Sequence, residues 1–315
     1  NRTVLVTRDT GEAWVLKQAL AKLRVAVDWF SDPTRIHREA LGLRWLIRLL
    51  DQATPRTAPA THAPPLLGPL PGLVFEDVEH HVLAMHAVPQ PHENWKTMLL
   101  AGCVEAHHVE QFADLLATIH RRAFEAGTEV AEAFEDRSFF ESLRLEPYYG
   151  YAAGQVPEAC AFLNTLIADT RATRLTLVHG DYSPKNILIH NDRLVLLDHE
   201  VIHFGDPAFD LGFSITHLLS KAHHLPAHRN AFTDAAMRYW RGYARTLGEV
   251  PWRDALEPRA VRHTLGCLLA RVAGRSPLEY LSEHERTRQR AATTRLIVAP
   301  PCDMVMLIER FVEAL

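Results

Sequence analysis

Three side chains in the segment LVHGDYSPKNILIHNDRLVLLDHE, residues 177–200, are of types that do chemistry together: Asp181, Asn186 and Asp198. Two carboxylates and an amide oxygen make a hard-oxygen set suited to Mg²⁺, which takes few protein ligands, keeps several waters and binds phosphate oxygens as well. Phosphoryl transfer asks for such a division of labour. One aspartate accepts the proton of an attacking hydroxyl, while an asparagine and a second aspartate hold metal on nucleotide phosphates. Alone, Asp181 or Asn186 is equally a turn former; the set acquires its meaning when Asp198 and Asp210 are read with it.

The elements that must position these residues are short. TLVHGD and RLVLLDHE read as strands with NILIH as a third between them, so the three polar residues fall at strand ends or on the intervening loop. Upstream, TVLVTRDTGEAWVLKQ reads as a hairpin turning at Asp9-Thr10-Gly11-Glu12. SDPTRIHREALGLRWLIRLL reads as a helix, with Ser31 or Asp32 as its cap, Pro33 in its first turn, and Ile36, Ala40, Leu43 and Ile47 along one face. Residues 53–72 carry Pro55, Pro59, Pro64, Pro65, Pro69 and Pro71, which suits a surface connection and neither a helix nor a central strand. LVFEDVEHHVLAMHAV reads as a second hairpin.

Beyond Pro89 and Pro91 the apolar spacing turns helical, first at Val109, Phe112, Leu116, Ile119 and Ala123. It recurs at Leu211, Ile215, Leu218 and Ala222, at Phe232, Ala236, Tyr239 and Tyr243, and at Met304, Ile308, Phe311 and Leu315. This shift predicts an α+β chain with a small sheet-rich lobe at 1–87 and a larger, mainly helical lobe at 88–315. No internal repeat is visible.

HGDYSPKN resembles the catalytic loop of the protein-kinase-like fold, in the shortened form used by aminoglycoside phosphotransferases and choline kinases, where H-x-D is followed five residues later by Asn. LLDHE is similar to the metal-binding strand end of that family, and GDPAFDLG to the helix start that follows it. The resemblance implies Asp181 as catalytic base, Asn186 and Asp198 as Mg²⁺ ligands, His179 as a structural residue of the loop, and Asp210 as its buttress. Lys17 in AWVLKQ looks like the strand lysine that contacts ATP phosphates, and Glu39 like its helix partner. HVLAMHAVP is similar to the hinge, where backbone groups of Ala84 to Ala87 would hold the adenine edge with Met85 packed nearby. These pieces occur in family order over almost the whole chain. One departure is the Gly-rich phosphate loop, which should precede the first strand and is not in this numbering.

The implied activity is transfer of the ATP γ-phosphate to a hydroxyl of a metabolite, amino alcohol, sugar or aminoglycoside. Eight residues separate Asp198 from Pro207, far fewer than the peptide-binding activation segment of protein kinases, so a small-molecule acceptor is expected. Two other classes compete. A nucleotide-binding regulator would keep the fold without turnover, against which stand Asp181, Asn186, Asp198 and Lys17. A metal-dependent hydrolase would build on Asp198-His199 but needs several more converging ligands.

Composition sets further bounds. Hydrophobic residues make up 47% and charged residues 23% of 315, an ordinary globular balance in a length that suits two lobes. Lys plus Arg number 34 against 38 Asp plus Glu, which argues against a nucleic-acid partner. No apolar run approaches the roughly 18 residues of a membrane span. Cys103, Cys160, Cys267 and Cys302 form no CxxC pair, which fits a reducing cytoplasm. The pairs His80-His81, His107-His108 and His223-His224 lack companion metal ligands at useful spacing. Tyr148, Tyr149 and Tyr151 read as packing residues or as a cation-binding face, Arg271 and Arg275 as connection residues or anion contacts, and Glu200 and Asp206 as attractors of a cationic substrate or as local backbone anchors. Lys185 is a phosphate contact or an exposed loop lysine. Oligomeric state leaves no signal.

Overall fold

The computed structural model describes residues 1–9, 11–22, 29–51 and 66–315. Thr10 of the first turn, and Pro55, Pro59, Pro64 and Pro65 of the proline-rich connection, lie outside the described residues. The first hairpin joins β1, Arg2–Thr7, to β2, Ala13–Gln18, with Lys17 opposite Thr3. The second joins β3, Leu73–Asp77, to β4, Val82–His86. Together they form one antiparallel sheet in the order β1-β2-β4-β3.

Helix α1, Arg35–Asp51, crosses this sheet. Of the two candidate caps, Asp32 does the work: its Oδ1 accepts the Thr34 N–H at 2.9 Å and its carbonyl accepts the Arg35 N–H. Ile36, Ala40 and Leu43 are buried as the spacing predicts. One turn later Leu46 and Leu49 go inside and Ile47 is only half-buried. Gly42 lets α1 approach the chain beyond the proposed metal strand: a Cβ there would lie 2.8 Å from Ile202 Cγ2 and 3.0 Å from His199 Cβ.

The rest of the chain is mainly helical. Strand β5, His92–Asn94, precedes α2, Ala106–Ala126, whose residues Val109, Phe112, Leu116, Ile119 and Ala123 are all buried. Residues 176–196 supply β6, Thr176–Val178, β7, Ile187–His190, and β8, Arg193–Leu196. β7 lies between β8 and β5, while β6 pairs with β9, His203–Gly205. Strands β5 and β9, three residues each, escaped the sequence analysis because HEN and HFG carry no apolar run like the TLV of β6. Helix α3, Ala208–His224, packs against both α4, Arg229–Leu247, and α5, Leu256–Ala273, and α4 packs on α2. Helix α6, Glu283–Val298, and α7, Met304–Glu313, close the bundle.

One apolar core runs through both parts, from Ile36, Leu43 and Leu83 to Phe112, Leu177, Leu211 and Phe311. The architecture is α+β, a small antiparallel sheet with its helix beside a larger helical body. Among the described residues no helix is long and apolar enough to cross a membrane. All four cysteines are unpaired.

Candidate active site

The site assembles where the sheet meets the helical body. Lys17, near the end of β2, reaches two carboxylates: its Nζ lies 2.7 Å from Glu39 Oε2 on α1 and 2.5 Å from Asp198 Oδ1 beyond β8. Burial works to lower the lysine, but Asp198, Glu39 and Glu200 more than offset it, and the ammonium is held firmly charged. Burial pushes the Glu39 carboxyl up, to about 7, against the pull of Lys17. Burial also works to raise Asp198, yet Lys17 and Lys185 prevail and its carboxyl lies well below the usual range. Asp198 takes a left-handed φ of 68°, a conformation that Asp tolerates better than most residues.

The catalytic loop hangs from Asp210, which is fully buried in the first turn of α3. Asp210 accepts the N–H of His179 on Oδ2 at 2.7 Å and that of Gly180 on Oδ1 at 2.8 Å, and His120 Nε2 lies 3.3 Å from Oδ2. Gly180 has a φ of 76°, and a Cβ there would lie 3.0 Å from the Val201 carbonyl oxygen. His179 Nδ1 accepts the Asp181 N–H at 3.2 Å, and its Nε2 lies 3.2 Å from His199 Nδ1. Burial lowers both imidazoles, so His179 serves as a neutral acceptor that orients the loop.

Asp181 is gripped on one oxygen. Its Oδ2 lies 2.9 Å from Arg144 Nη2 and 3.7 Å from Lys185 Nζ, and accepts from Asn186 Nδ2 at 2.8 Å. Among the described residues no hydrogen bond falls on Oδ1, which leaves that oxygen for an incoming hydroxyl. Burial alone would raise Asp181, but Arg144 and Lys185 outweigh it and the carboxylate stays ionised at neutral pH. Asn186 also donates to the Asp181 carbonyl at 3.0 Å, so its amide oxygen is the atom free to meet a cation.

Carboxylate oxygens of Glu39, Asp198 and Glu200 lie within 4.8 Å of one another. Asn186 lines the same cleft as Asp198 and Glu39, and an amide oxygen beside carboxylates is the kind of donor set Mg²⁺ takes, with Lys17 already paired to Glu39 and Asp198. Glu200 was absent from the metal set read from sequence. It stands two residues beyond Asp198, steadied by the buried Arg35, whose Nε is 3.2 Å away. Arg144 escaped notice as well. It sits in a π-helical stretch, Glu141–Gly150, whose only sequence hint is an arginine among apolar neighbours.

The cleft between sheet and body measures about 1350 Å³. Ala84 does not face it: the residue is fully buried between Leu16 of β2 and Phe75 of β3, with its backbone in the sheet ladder. The Ala87 N–H is also committed, to the Ala13 carbonyl at 2.9 Å. The wall is Met85 to Gln90, and in it the Val88 N–H donates to no carbonyl among the described residues. Of the expected stretch Ala84–Ala87, the cleft is thus lined by Met85, His86 and Ala87 and not by Ala84. Elsewhere, Asp192 meets His107 Nε2 at 2.7 Å and His108 Nε2 at 2.9 Å, so this pair does have a companion, supplied by a turn 84 residues away.

A model of the phosphotransferase enzyme family matches residues 1–248. Methylthioribose kinase from Enterobacter sp. (strain 638) is 24% identical over 252 residues, 72% of this chain and 59% of the relative. The chain thus spans about three-fifths of the length of that curated relative. Among solved structures, a choline/ethanolamine kinase family protein from Mesorhizobium loti aligns with a TM-score of 0.54 at 14% identity, covering 96% of this chain and 86% of that one. An amicoumacin kinase in complex with AMP-PNP and Ca²⁺ aligns with a TM-score of 0.53 at 14% identity, covering 94% and 84%. At that identity the two structures establish the fold.

Proposed function

We propose, because the chain belongs to the phosphotransferase enzyme family, that it transfers the γ-phosphate of ATP to a hydroxyl group of a small molecule. One observation carries the reading: a single lysine, Lys17, bridges Glu39 and Asp198 on the wall of a nucleotide-sized cleft that Asn186 also lines. Val15, Leu188 and Leu197 offer the adenine an apolar slot beside Met85, and the Val88 N–H offers its edge a donor. Lys17 contacts the phosphates. Asn186, Asp198 and Glu200 would hold Mg²⁺, which when bound neutralises phosphate charge.

Asp181 Oδ1 receives the proton of the acceptor hydroxyl as its oxygen attacks the γ-phosphorus and ADP departs. Arg144, Lys185 and Asn186 keep that carboxylate ionised and fixed through Oδ2. His179 and Asp210 hold the loop that presents it. The short connection from Asp198 to Pro207 supports a small acceptor over a peptide. Unpaired cysteines support a reducing compartment such as the cytoplasm.

The test is ADP release from Mg²⁺ and ATP against amino alcohols, aminoglycosides, sugars and their acids, with Asp181→Asn as control. Acceptor-dependent ADP that vanishes in the control is expected. Tight ATP binding with no ADP from any acceptor would point instead to a regulator without turnover.

A further inference from the structure

Next to Asp181, on the side away from the adenine slot, lies a second cavity of about 280 Å³. Its polar walls are Arg144, Lys185, Arg271, His217, Asp181 and Glu200. The two acids are already balanced: Asp181 by Arg144 and Lys185, Glu200 by Arg35. Arg271 is not. Only 9% exposed, it has no carboxylate within ion-pair distance among the described residues and donates to neutral oxygens, Tyr148 Oη at 3.2 Å and the Ser276 carbonyl at 2.5 Å. Its Nε is buried without any partner, and so is Nε2 of His217, which is 6% exposed on the same cavity wall. A buried guanidinium in a low-dielectric wall with no counter-charge is costly unless something anionic completes it.

The aromatic lining tells against a cationic acceptor. A quaternary or primary ammonium would seek the open face of an aromatic ring. Here Arg144 and Arg271 lie 5.8 Å and 5.5 Å from the centre of Tyr148, and Arg275 lies 5.4 Å from that of Trp29. Guanidinium groups of the protein itself already face these rings. Of the other two tyrosines, Tyr149 is buried, its hydroxyl bonded to His263 and Cys267, and Tyr151 is exposed and not part of this wall. The volume suits one small metabolite, since drug-sized ligands occupy about 300–1,000 Å³.

We propose that the acceptor is a small hydroxy acid or sugar acid, whose carboxylate docks on Arg271 while its hydroxyl reaches Asp181 Oδ1. The inference rests on the phosphotransferase reading above and names its substrate class. The hydroxyl oxygen forms a bond to the γ-phosphorus as the bond to the β,γ-bridging oxygen breaks, the hydroxyl proton passes to Asp181, and ADP leaves. The carboxylate takes no part in bond making. Arg271 is a specificity residue, whose Nη2, unbonded among the described residues while Nη1 is held by Tyr148 and Ser276, is the charged donor a carboxylate meets.

The experiment uses charge series on two carbon skeletons: glycerate, glycerol and serinol, and glucuronate, glucose and glucosamine. Calorimetric binding and coupled ADP release are measured on the full chain with Mg²⁺ and nucleotide. In at least one series the acid is expected to bind about tenfold more tightly than its neutral and amine counterparts. Arg271→Gln should erase that preference through KM, with nucleotide affinity unchanged. Arg271→Lys, which keeps the charge but not the guanidinium, guards against a folding defect and should retain part of it. Preference for the amines, indifference to charge, no acid bound, or an acid preference surviving in both variants would each overturn the inference. ADP formed with glucosamine alone removes this inference and leaves the phosphotransferase reading standing. Failure to bind ATP together with silence from every acceptor removes that reading, while acid preference in calorimetry remains readable by itself.

Discussion

At the scale of single residues, the site depends on which oxygen of each carboxylate is spoken for. Asp181 Oδ2 is held by Arg144, Lys185 and Asn186 while Oδ1 stays open, so Asp181→Asn should keep the geometry and lose the proton acceptor. We expect kcat to fall by about 10²–10⁴, with ATP affinity retained in a fluorescent-nucleotide titration; a fall in affinity alone would reassign the residue. Lys17→Ala has two effects. It removes the phosphate contact and strands Glu39, which is 1% exposed, at a cost of about 3–5 kcal/mol for breaking a buried pair. Adding Glu39→Gln should restore much of the melting temperature and none of the turnover. Spacing made Asp181, Asn186 and Asp198 conspicuous in the sequence. Arg144 was not, and Glu200 was noted only as an attractor of cations or a backbone anchor, because what each does depends on which distant groups it touches.

At the scale of elements, the catalytic loop is a backbone problem. Asp210 at the start of α3 receives two consecutive loop N–H groups, one on each oxygen, and Gly180 accepts a positive φ where Val201 leaves no room for a Cβ. Asp210→Asn turns an amide NH₂ toward one of those donors. An unsatisfied buried N–H costs about 1–3 kcal/mol, so both melting temperature and kcat should drop, whereas an unchanged melting temperature would mean that the loop holds itself. Gly180→Ala should lower kcat while leaving nucleotide binding intact, since it displaces Asp181 and not the cleft. The helices were readable from apolar spacing; β5 and β9 were not, because HEN and HFG lack an apolar run and are strands only through their partners β7 and β6.

At the scale of the whole molecule, many of the histidines are packing residues, and this has a pH signature. Burial lowers His199, His203 and His217, His203 to about 3. An unfolded histidine titrates near 6.5, so below that pH the unfolded chain binds more protons than the folded one. Stability then falls with pH by about 1.4 kcal/mol per unit for each such group. Glu39, raised to about 7, works the other way but is one group against several, since burial lowers His108, His179 and His223 as well. Urea midpoints should therefore drop between pH 7 and pH 5.5, less steeply in His203→Gln; a flat profile would mean that these rings are hydrated or already charged. What the sequence determined by itself is whatever short-range spacing encodes: the apolar faces of the helices, the two hairpins, and the placing of Asp181, Asn186 and Asp198 at strand ends. Only the tertiary structure decided which groups meet. It brought Lys17 across 181 residues to Asp198, tied the Ala87 N–H to Ala13 while leaving that of Val88 open, and turned Arg144 and Arg271 into one cavity. Local patterns arise from neighbours along the chain, whereas charge partners, free oxygens and buried orphan donors arise from packing between segments whose separation leaves no trace in either one.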